Sequence, residues 1–282
     1  MERKGFIGGS DLYDIMNGNW HKLWLIKTGR QEPEDLYYQF NVMLGKHTED
    51  FNMQWLGYSK FVVVPSIPSK RINHSKKITE VSMNISGVPY KGQLDGVAVE
   101  EDSQRTWDEC IEQSTHVVEC KHTSSYKTMS DMLDAYLPQM HLYMRISGKK
   151  FCLFSVIFGN RHEYVEVTYN EDYWKKVHKL VYNFWQHVKD DTEPSTGDAV
   201  TLDWKTVEID NLIARDANKE NFFVRTAQRY IETIDVAKEN EQYKKELTSS
   251  MNDNEREVFC DQLTIKRDKR GAKRIFVKKG VA

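Results

Sequence analysis

Apolar residues recur along this chain in two periods, and the switches between them predict an order of elements. Residues 8–30 read as helix, break, helix. Ser10 followed by Asp11 is a helix-start signal, Asn17-Gly18-Asn19 ends the first helix, and a second runs from His21 to Thr28 before Gly29 stops it. Residues 35–56 predict a long helix with Leu36, Phe40, Met43, Leu44, His47, Phe51 and Trp55 at three- and four-residue steps, ended by Gly57. Strands are predicted at 61–65 (FVVVP), at 79–85 and 90–100 with a turn at Ser86-Gly87, and at 115–121, where Val117-Val118 suggests burial. The polar stretch 101–113 reads as a loop or the end of a hairpin. A helix at 130–146 carries Leu133, Tyr136, Leu137, Met140, Tyr143 and Met144 on one face, and Pro138 inside it predicts a kink or a late start. The continuous apolar run 151–158 (FCLFSVIF) predicts a central strand, and the alternating 164–169 (YVEVTY) a strand beside it. Residues 171–188 are a strongly amphipathic helix.

After residue 190 the pattern loosens. DDTEPSTGDAVT is a turn cluster, and 191–209 reads as a linker. Residues 210–248 predict a long polar helix with a partial apolar stripe, and 259–277 a hairpin turning at Arg270-Gly271. The expected domains are therefore a core at 1–190, the linker, and an added module at 210–282, for DNA binding or oligomerisation. A chain of 282 residues has room for one large domain with such an appendage.

Composition changes this picture little. With 39% hydrophobic and 29% charged residues, the chain can bury an ordinary core. Its net charge of −2 gives no global basic field, although 40 Lys and Arg leave room for a local basic groove. The tail is the exception: 261–282 carries eight cations (Lys266, Arg267, Lys269, Arg270, Lys273, Arg274, Lys278 and Lys279) against Asp261 and Asp268. Such a ribbon, with Phe276, suits a DNA backbone. It suits equally a solvated edge hairpin guarded by lysines. The four cysteines show no CxxC spacing, which argues against a zinc ribbon or an iron–sulfur cluster and suggests a reducing compartment. No apolar run has the length of a membrane span, so a cytoplasmic protein with no membrane partner is expected.

The candidate chemistry lies between Val88 and Lys121. Asp95 sits in GQLDGVAV; Glu119 and Lys121 sit in VVECK. Each carboxylate ends or interrupts a strand-like run, and sequential strands are usually neighbours. Carboxylates brought together repel unless a cation or proton intervenes. A hard divalent cation resolves that cost and activates water for phosphodiester hydrolysis. Lys121 follows Glu119 by two residues and so shares its strand face. Taken alone, Asp-Gly is a common turn and Glu-x-Lys a common surface pair. The apolar runs around both carboxylates weigh against that simpler origin, because a buried unpaired carboxylate is expensive. His47 and Glu49, two apart on a helix, do not share a face, so a zinc site there is not expected.

GQLDG, a strand, VVECK and a helix carrying LPQMHLYM, in that order, resemble the PD-(D/E)XK nuclease superfamily. Together with IGGSDLYDIM near the start and LGKHTED in the long helix, they resemble its lambda-exonuclease-like, YqaJ-type viral recombinase group over roughly residues 3–190. The resemblance implies an α/β fold, a central mixed β-sheet flanked by helices, with the C-terminal helix and hairpin as an extension. It implies a Mg²⁺-dependent 5′–3′ double-stranded DNA exonuclease that makes single strands for phage-type recombination or repair. Asp95 and Glu119 would be metal ligands with the Cys120 backbone carbonyl; Lys121 would act on the nucleophilic water; Glu49 would be the third acid. Gln139 would orient the site, with Tyr143 one turn on, and Ser10 and Arg3 would take a 5′-phosphate. The implied cofactors are two Mg²⁺ ions, for which Mn²⁺ can substitute. The implied partners are duplex DNA ends, a single-strand annealing protein and further copies of the chain. The sequence departs from the pattern at Leu94, where proline is frequent, and at His141, where a second glutamine is frequent. An endonuclease, a helicase-associated nuclease unit and a non-catalytic DNA-binding module are the alternatives.

Overall fold

The computed structural model describes residues 4–66, 80–100, 106–195, 199–204, 206–210, 217–268 and 270–278. The chain divides into two compact units, Met1–Ile213 and Ala214–Ala282.

The elements of the first unit are α1 (Gly9–Met16), α2 (Trp20–Lys27), α3 (Phe40–Leu56), β1 (Phe61–Pro65), β2 (Val81–Ile85), β3 (Val88–Gly92), β4 (Gly96–Glu100), α4 (Trp107–Glu112), β5 (His116–Thr123), α5 (Met129–Ser147), β6 (Phe151–Phe158), β7 (Arg161–Thr168) and α6 (Glu171–Lys189). The fold is α/β, with a central mixed sheet between helices. Its strand order is β1-β4-β5-β6-β7. Among the described residues of this sheet, β5 and β6 are the parallel pair, and α5 supplies the crossover that a parallel pair requires. One face of the sheet packs on α3 through Met53, Leu56, Phe61, Val63, Val118 and Leu153. The other face buries α1, α5 and α6, and alternation along the strands sends Val117 and Phe154 to that side. On α6, the fully buried Val177, Val181 and Phe184 recur at helical spacing; each contributes about 1.5–3 kcal/mol by leaving water.

Several expectations change in the fold. The predicted strand 90–100 is interrupted: β3 ends at Gly92, β4 begins at Gly96, and Asp95 lies in the break. β2 and β3 form a separate hairpin, joined by a bridge from Ile7 to Tyr90. Part of the predicted loop 101–113 is α4, started by a reciprocal cap in which Glu109 Oε2 accepts the Thr106 N–H at 2.7 Å. Gly8, not Ser10, caps α1, and its N–H donates to Asp11 Oδ2 at 2.6 Å. α5 starts at Met129 and runs through Pro138. Helix α3 starts at Phe40, later than the predicted residue 35, and turns the expected stripe outward: Phe40 is 80% and Trp55 49% exposed, while Asn52, Met53 and Leu56 are buried. The stretch 191–209, expected as a linker, puts Val207 and Ile209 into the core, with Thr168 N–H donating to Glu208 O at 2.9 Å.

The second unit holds α7 (Asn221–Ser250), β8 (Glu257–Phe259), β9 (Leu263–Arg267) and β10 (Lys273–Val277). The helix starts eleven residues after the predicted 210 and buries none of its residues. The hairpin expected at 259–277 is present as β9–β10, with β8 on its other edge. Gly271 takes φ +86°, which suits glycine at this turn. Among the described residues of the ribbon, Lys266 pairs with Glu257 at 3.3 Å and Arg274 with Asp268 at 3.3 Å. Lys273 Nζ donates to Thr248 O (2.7 Å) and Met251 O (2.8 Å), as a cation should at a helix C-terminus. Lys269 and Lys279 lie outside the described residues. Among the described residues, no helix is long and apolar enough to cross a membrane.

Candidate active site

The β4–β5 ladder runs from Ala98↔His116 to Gly96↔Val118 and stops there. Beyond it β5 continues for five residues, still paired to β6. Asp95, just before β4, takes over where the backbone pairing ends. Its Oδ2 accepts the Cys120 N–H at 2.8 Å, and its carbonyl accepts Ser66 N–H at 2.8 Å. The parting of the two strands thus sets a carboxylate beside the strand that carries Glu119 and Lys121.

Glu119 is 1% exposed. Its Oε1 receives Lys121 Nζ and, at 2.6 Å, Gln139 Nε2 from α5. Its Oε2 is buried and has no hydrogen-bond partner among the described residues. Lys121 also lies 4.9 Å from the Tyr136 ring centroid. Tyr143, one turn beyond Gln139, is wedged between two glycines. A Cβ at Gly9 would stand 2.5 Å from its hydroxyl, and one at Gly92 2.6 Å from its ring. Those two positions admit no side chain, and the close approach brings α1 and the end of β3 against α5.

Of these residues, Lys121, Gln139 and Tyr143 open on one cleft of about 650 Å³. Its wall includes Ser10, Glu49, Cys120, Lys121, Gln139 and Tyr143, and also Lys46, Lys91 and Tyr136. Of the predicted site residues, the fold therefore gathers Glu49, Glu119, Lys121, Gln139, Tyr143 and Ser10, with Asp95 bonded to Cys120. Arg3 lies outside the described residues. Sequence reasoning passed over Lys46 and Lys91. Lys46 stands one turn before Glu49 on α3, and that spacing is the only signal for it; nothing in the pattern marks Lys91. Tyr136 was read as packing alone. A second overlooked feature lies under the α1 terminus, where Lys27 and Asp11 form a buried pair at 2.5 Å.

His141, the departure from the resembled motif, has a structural task. It is fully buried, and burial lowers its pKa to about 4. The neutral ring donates from Nδ1 to Leu137 O (3.0 Å) and accepts Asn170 N–H at Nε2 (3.2 Å), which ties α5 to the start of α6.

Burial dominates the electrostatics. It raises Glu119 to about 8, with Lys121 opposing and Asp95 adding to the rise. It raises Glu49 to about 7, helped by Asp95 and opposed by Lys121. Asp95 is raised for the same reason, against the pull of Lys121 and the Cys120 N–H. Burial alone would lower Lys121, but Glu119 and Asp95 more than offset it and hold the ammonium protonated. The site is one cation among three carboxylic groups, each pushed toward its protonated form when nothing else neutralises it.

The donor set fits a hard divalent cation. Oxygen ligands that repel each other, a buried carboxylate oxygen without a partner and a cleft open to a substrate are what such an ion takes. Among the described residues no group of three or more His, Cys, Asp or Glu side chains stands ready to hold a metal ion. In the structure Lys121 and Gln139 occupy one oxygen of Glu119, and Cys120 N–H one of Asp95. A cation would recruit the unbonded Glu119 Oε2.

No protein-family model matches the chain, and no curated protein does. Among solved structures, an alkaline exonuclease (LHK-Exo) from Laribacter hongkongensis is similar at 11% identity, with a TM-score of 0.47 over 67% of this chain and 90% of that one. The same enzyme in complex with dAMP is similar at 14% identity, with a TM-score of 0.47 and the same coverage.

Proposed function

We propose that the chain is a divalent-metal-dependent deoxyribonuclease that degrades one strand of duplex DNA from a 5′ end. The hydrolase reading is carried by one observation: Glu119, with a buried unbonded oxygen, meets Asp95, Lys121, Gln139 and Glu49 at the point where β4 and β5 part. Asp95 and Glu119 would hold Mg²⁺ or Mn²⁺, with the Cys120 carbonyl as a further ligand and Glu49 holding the ion or its water. Bound there, one or two such ions supply an activated water and neutralise charge on the in-line displacement.

The chain's own groups do the rest. Gln139 fixes one oxygen of Glu119 and so aims the other. Lys121, held protonated, presents its ammonium to the attacking water or the scissile phosphate. Glu119 and Glu49, which burial pushes toward their protonated forms, would hold the cation as carboxylates, with its charge standing in place of their protons. Ser10 and the first amides of α1 open on the same cleft and suit a terminal phosphate. Lys46 and Lys91 suit the strand that follows it. The 5′ polarity, the recombination or repair role, a single-strand annealing partner and a homo-oligomer follow from the sequence resemblance.

The test uses the purified chain with Mg²⁺ on linear duplexes with 5′-phosphate or 5′-hydroxyl ends, beside a closed circle. Preferential loss of the phosphorylated linear strand is expected. A circle cut as fast as the linear duplex would replace the exonuclease reading with an endonuclease. Unaltered cleavage by Asp95→Ala would remove the catalytic assignment.

A further inference from the structure

Asn52 is buried on the sheet side of α3, only 1% exposed, and its amide is fully engaged. Nδ2 donates to Lys121 O at 3.2 Å on β5 and to Ser155 O at 3.1 Å on β6. Oδ1 accepts the Ser155 hydroxyl at 2.7 Å. A serine hydroxyl has one hydrogen to give. Since that hydrogen goes to Asn52, the 2.8 Å contact between Ser155 Oγ and His162 Nε2 has the imidazole as donor. The bonds therefore run one way, from His162 through Ser155 to Asn52, and they settle which way the amide faces. A reversed amide would set its oxygen against the Lys121 and Ser155 carbonyls and lose both bonds that Nδ2 makes.

The location gives this network a consequence. Asn52 stands one turn after Glu49 on the same side of α3. Its amide reaches the backbone of Lys121 itself. At this end β5 has lost β4, whose pairing stops at Gly96↔Val118. Besides its pairing to β6, the strand that carries Glu119 and Lys121 is held here by side chains: Asp95 on Cys120 N–H, Asn52 on Lys121 O, and Thr48 Oγ1 at 3.0 Å from His122 Nδ1. Two of those three come from α3, the helix that brings Glu49.

We propose that Asn52 is a positioning residue. It locks α3 to the end of β5 that β4 has left and so sets where Glu49 stands against Glu119 and Lys121, with Ser155 and His162 holding its amide in the one productive orientation. The kinetic part of this rests on the nuclease reading above; the structural part does not.

Asn52→Ala and Ser155→Ala are compared with the wild type by steady-state kinetics on 5′-phosphorylated duplex at saturating Mg²⁺, and by hydrogen exchange of the backbone amides of 119–123. In Asn52→Ala, kcat is expected to fall at least about tenfold with KM within about threefold, and those amides to exchange faster than in the wild type. Ser155→Ala, which removes only the hydroxyl that orients the amide, is expected to change both in the same direction by a smaller factor, about threefold in kcat. It carries the test if Asn52→Ala does not fold. Folded variants with kcat within about twofold of wild type overturn the proposal, whatever their exchange, since Asn52 would then serve the fold alone. If the wild type does not hydrolyse DNA, the nuclease reading fails by itself, and unchanged exchange at 119–123 then overturns the positioning role.

Discussion

The two units of this chain treat charge in opposite ways. In Met1–Ile213 a few ionisable groups are forced out of water and onto one another: Glu119 is 1% exposed and interacts with Lys121, Asp95 and Glu49. In Ala214–Ala282 charges are dense, but they lie at the surface and meet partners nearby, as Lys244 meets Glu241 one turn away and Arg274 meets Asp268 across the hairpin. Surface pairs of this kind contribute about 0–1 kcal/mol and are screened by salt. Buried carboxylates with an unbonded oxygen cost more than that and persist only where something else recompenses them. Charge density along a sequence is therefore a poor guide to a site; charge that the fold refuses to solvate is a good one.

The largest expected effect would come from breaking the first unit's cluster. Lys121→Ala and Asp95→Asn are each expected to lower kcat on 5′-phosphorylated duplex about 10³-fold or more, with folding retained by circular dichroism. If Lys121→Ala kept a tenth of the wild-type rate, the buried charges would have a structural purpose and the contrast between the units would lose its meaning.

Gln139→Ala should cost less, about 10–100-fold, because it frees Glu119 without removing it. A fall in KM alone, with kcat unchanged, would contradict an orienting role.

A smaller effect sharpens the comparison through pH. Without a cation, folded Glu119 and Glu49 hold protons up to about 8 and about 7, whereas the same groups in the unfolded chain release them near 4.5. The folded state then binds more protons between those limits. The stability these two groups contribute is complete below pH 4.5 and is lost as pH rises through 7 and 8. Mg²⁺ should restore it, so the rise in Tm on adding Mg²⁺ should be greater at pH 8.5 than at pH 6, by about 3 °C or more. Glu119→Gln should flatten that pH dependence. An equal Mg²⁺ effect at both pH values would mean that the ion does not replace these protons.

The smallest expected effect lies in the second unit. Lys273→Ala removes two bonds at the end of α7 and should destabilise that unit by about 1 kcal/mol, read as faster hydrogen exchange at 244–251. DNA hydrolysis at saturating substrate should stay within about twofold. A tenfold loss of kcat there would give the basic ribbon a direct part in the reaction.

Much of the sheet was legible from local pattern. FVVVP and FCLFSVIF could be placed as strands because a buried strand needs a continuous apolar run, and α6 because one face of it recurs at helical spacing. The helix α4 was not legible, since a polar six-residue helix is held by a cap and has almost no apolar period. Nor was the burial of Val207 and Ile209, two apolar residues beyond the turn cluster, in the stretch read as a linker.

By itself, then, the sequence determined the chemistry that could be assembled. It carries Asp95, Glu119 and Lys121 on strand-like runs, and the spacing of Glu119 and Lys121 puts both on one strand face whatever the fold. Tertiary structure decided the rest. Periodicity shows that α3 has an apolar stripe of Phe40, Phe51 and Trp55, but not which side meets the sheet, and the fold turned in Asn52, Met53 and Leu56 instead. That rotation aims Glu49 at the cleft. The break between β3 and β4 at Asp95, the reach of Gln139 from α5 and the wedging of Tyr143 between Gly9 and Gly92 depend equally on contacts between residues far apart in the chain. No local period encodes such contacts, because they arise only when separate elements compete for the same buried space.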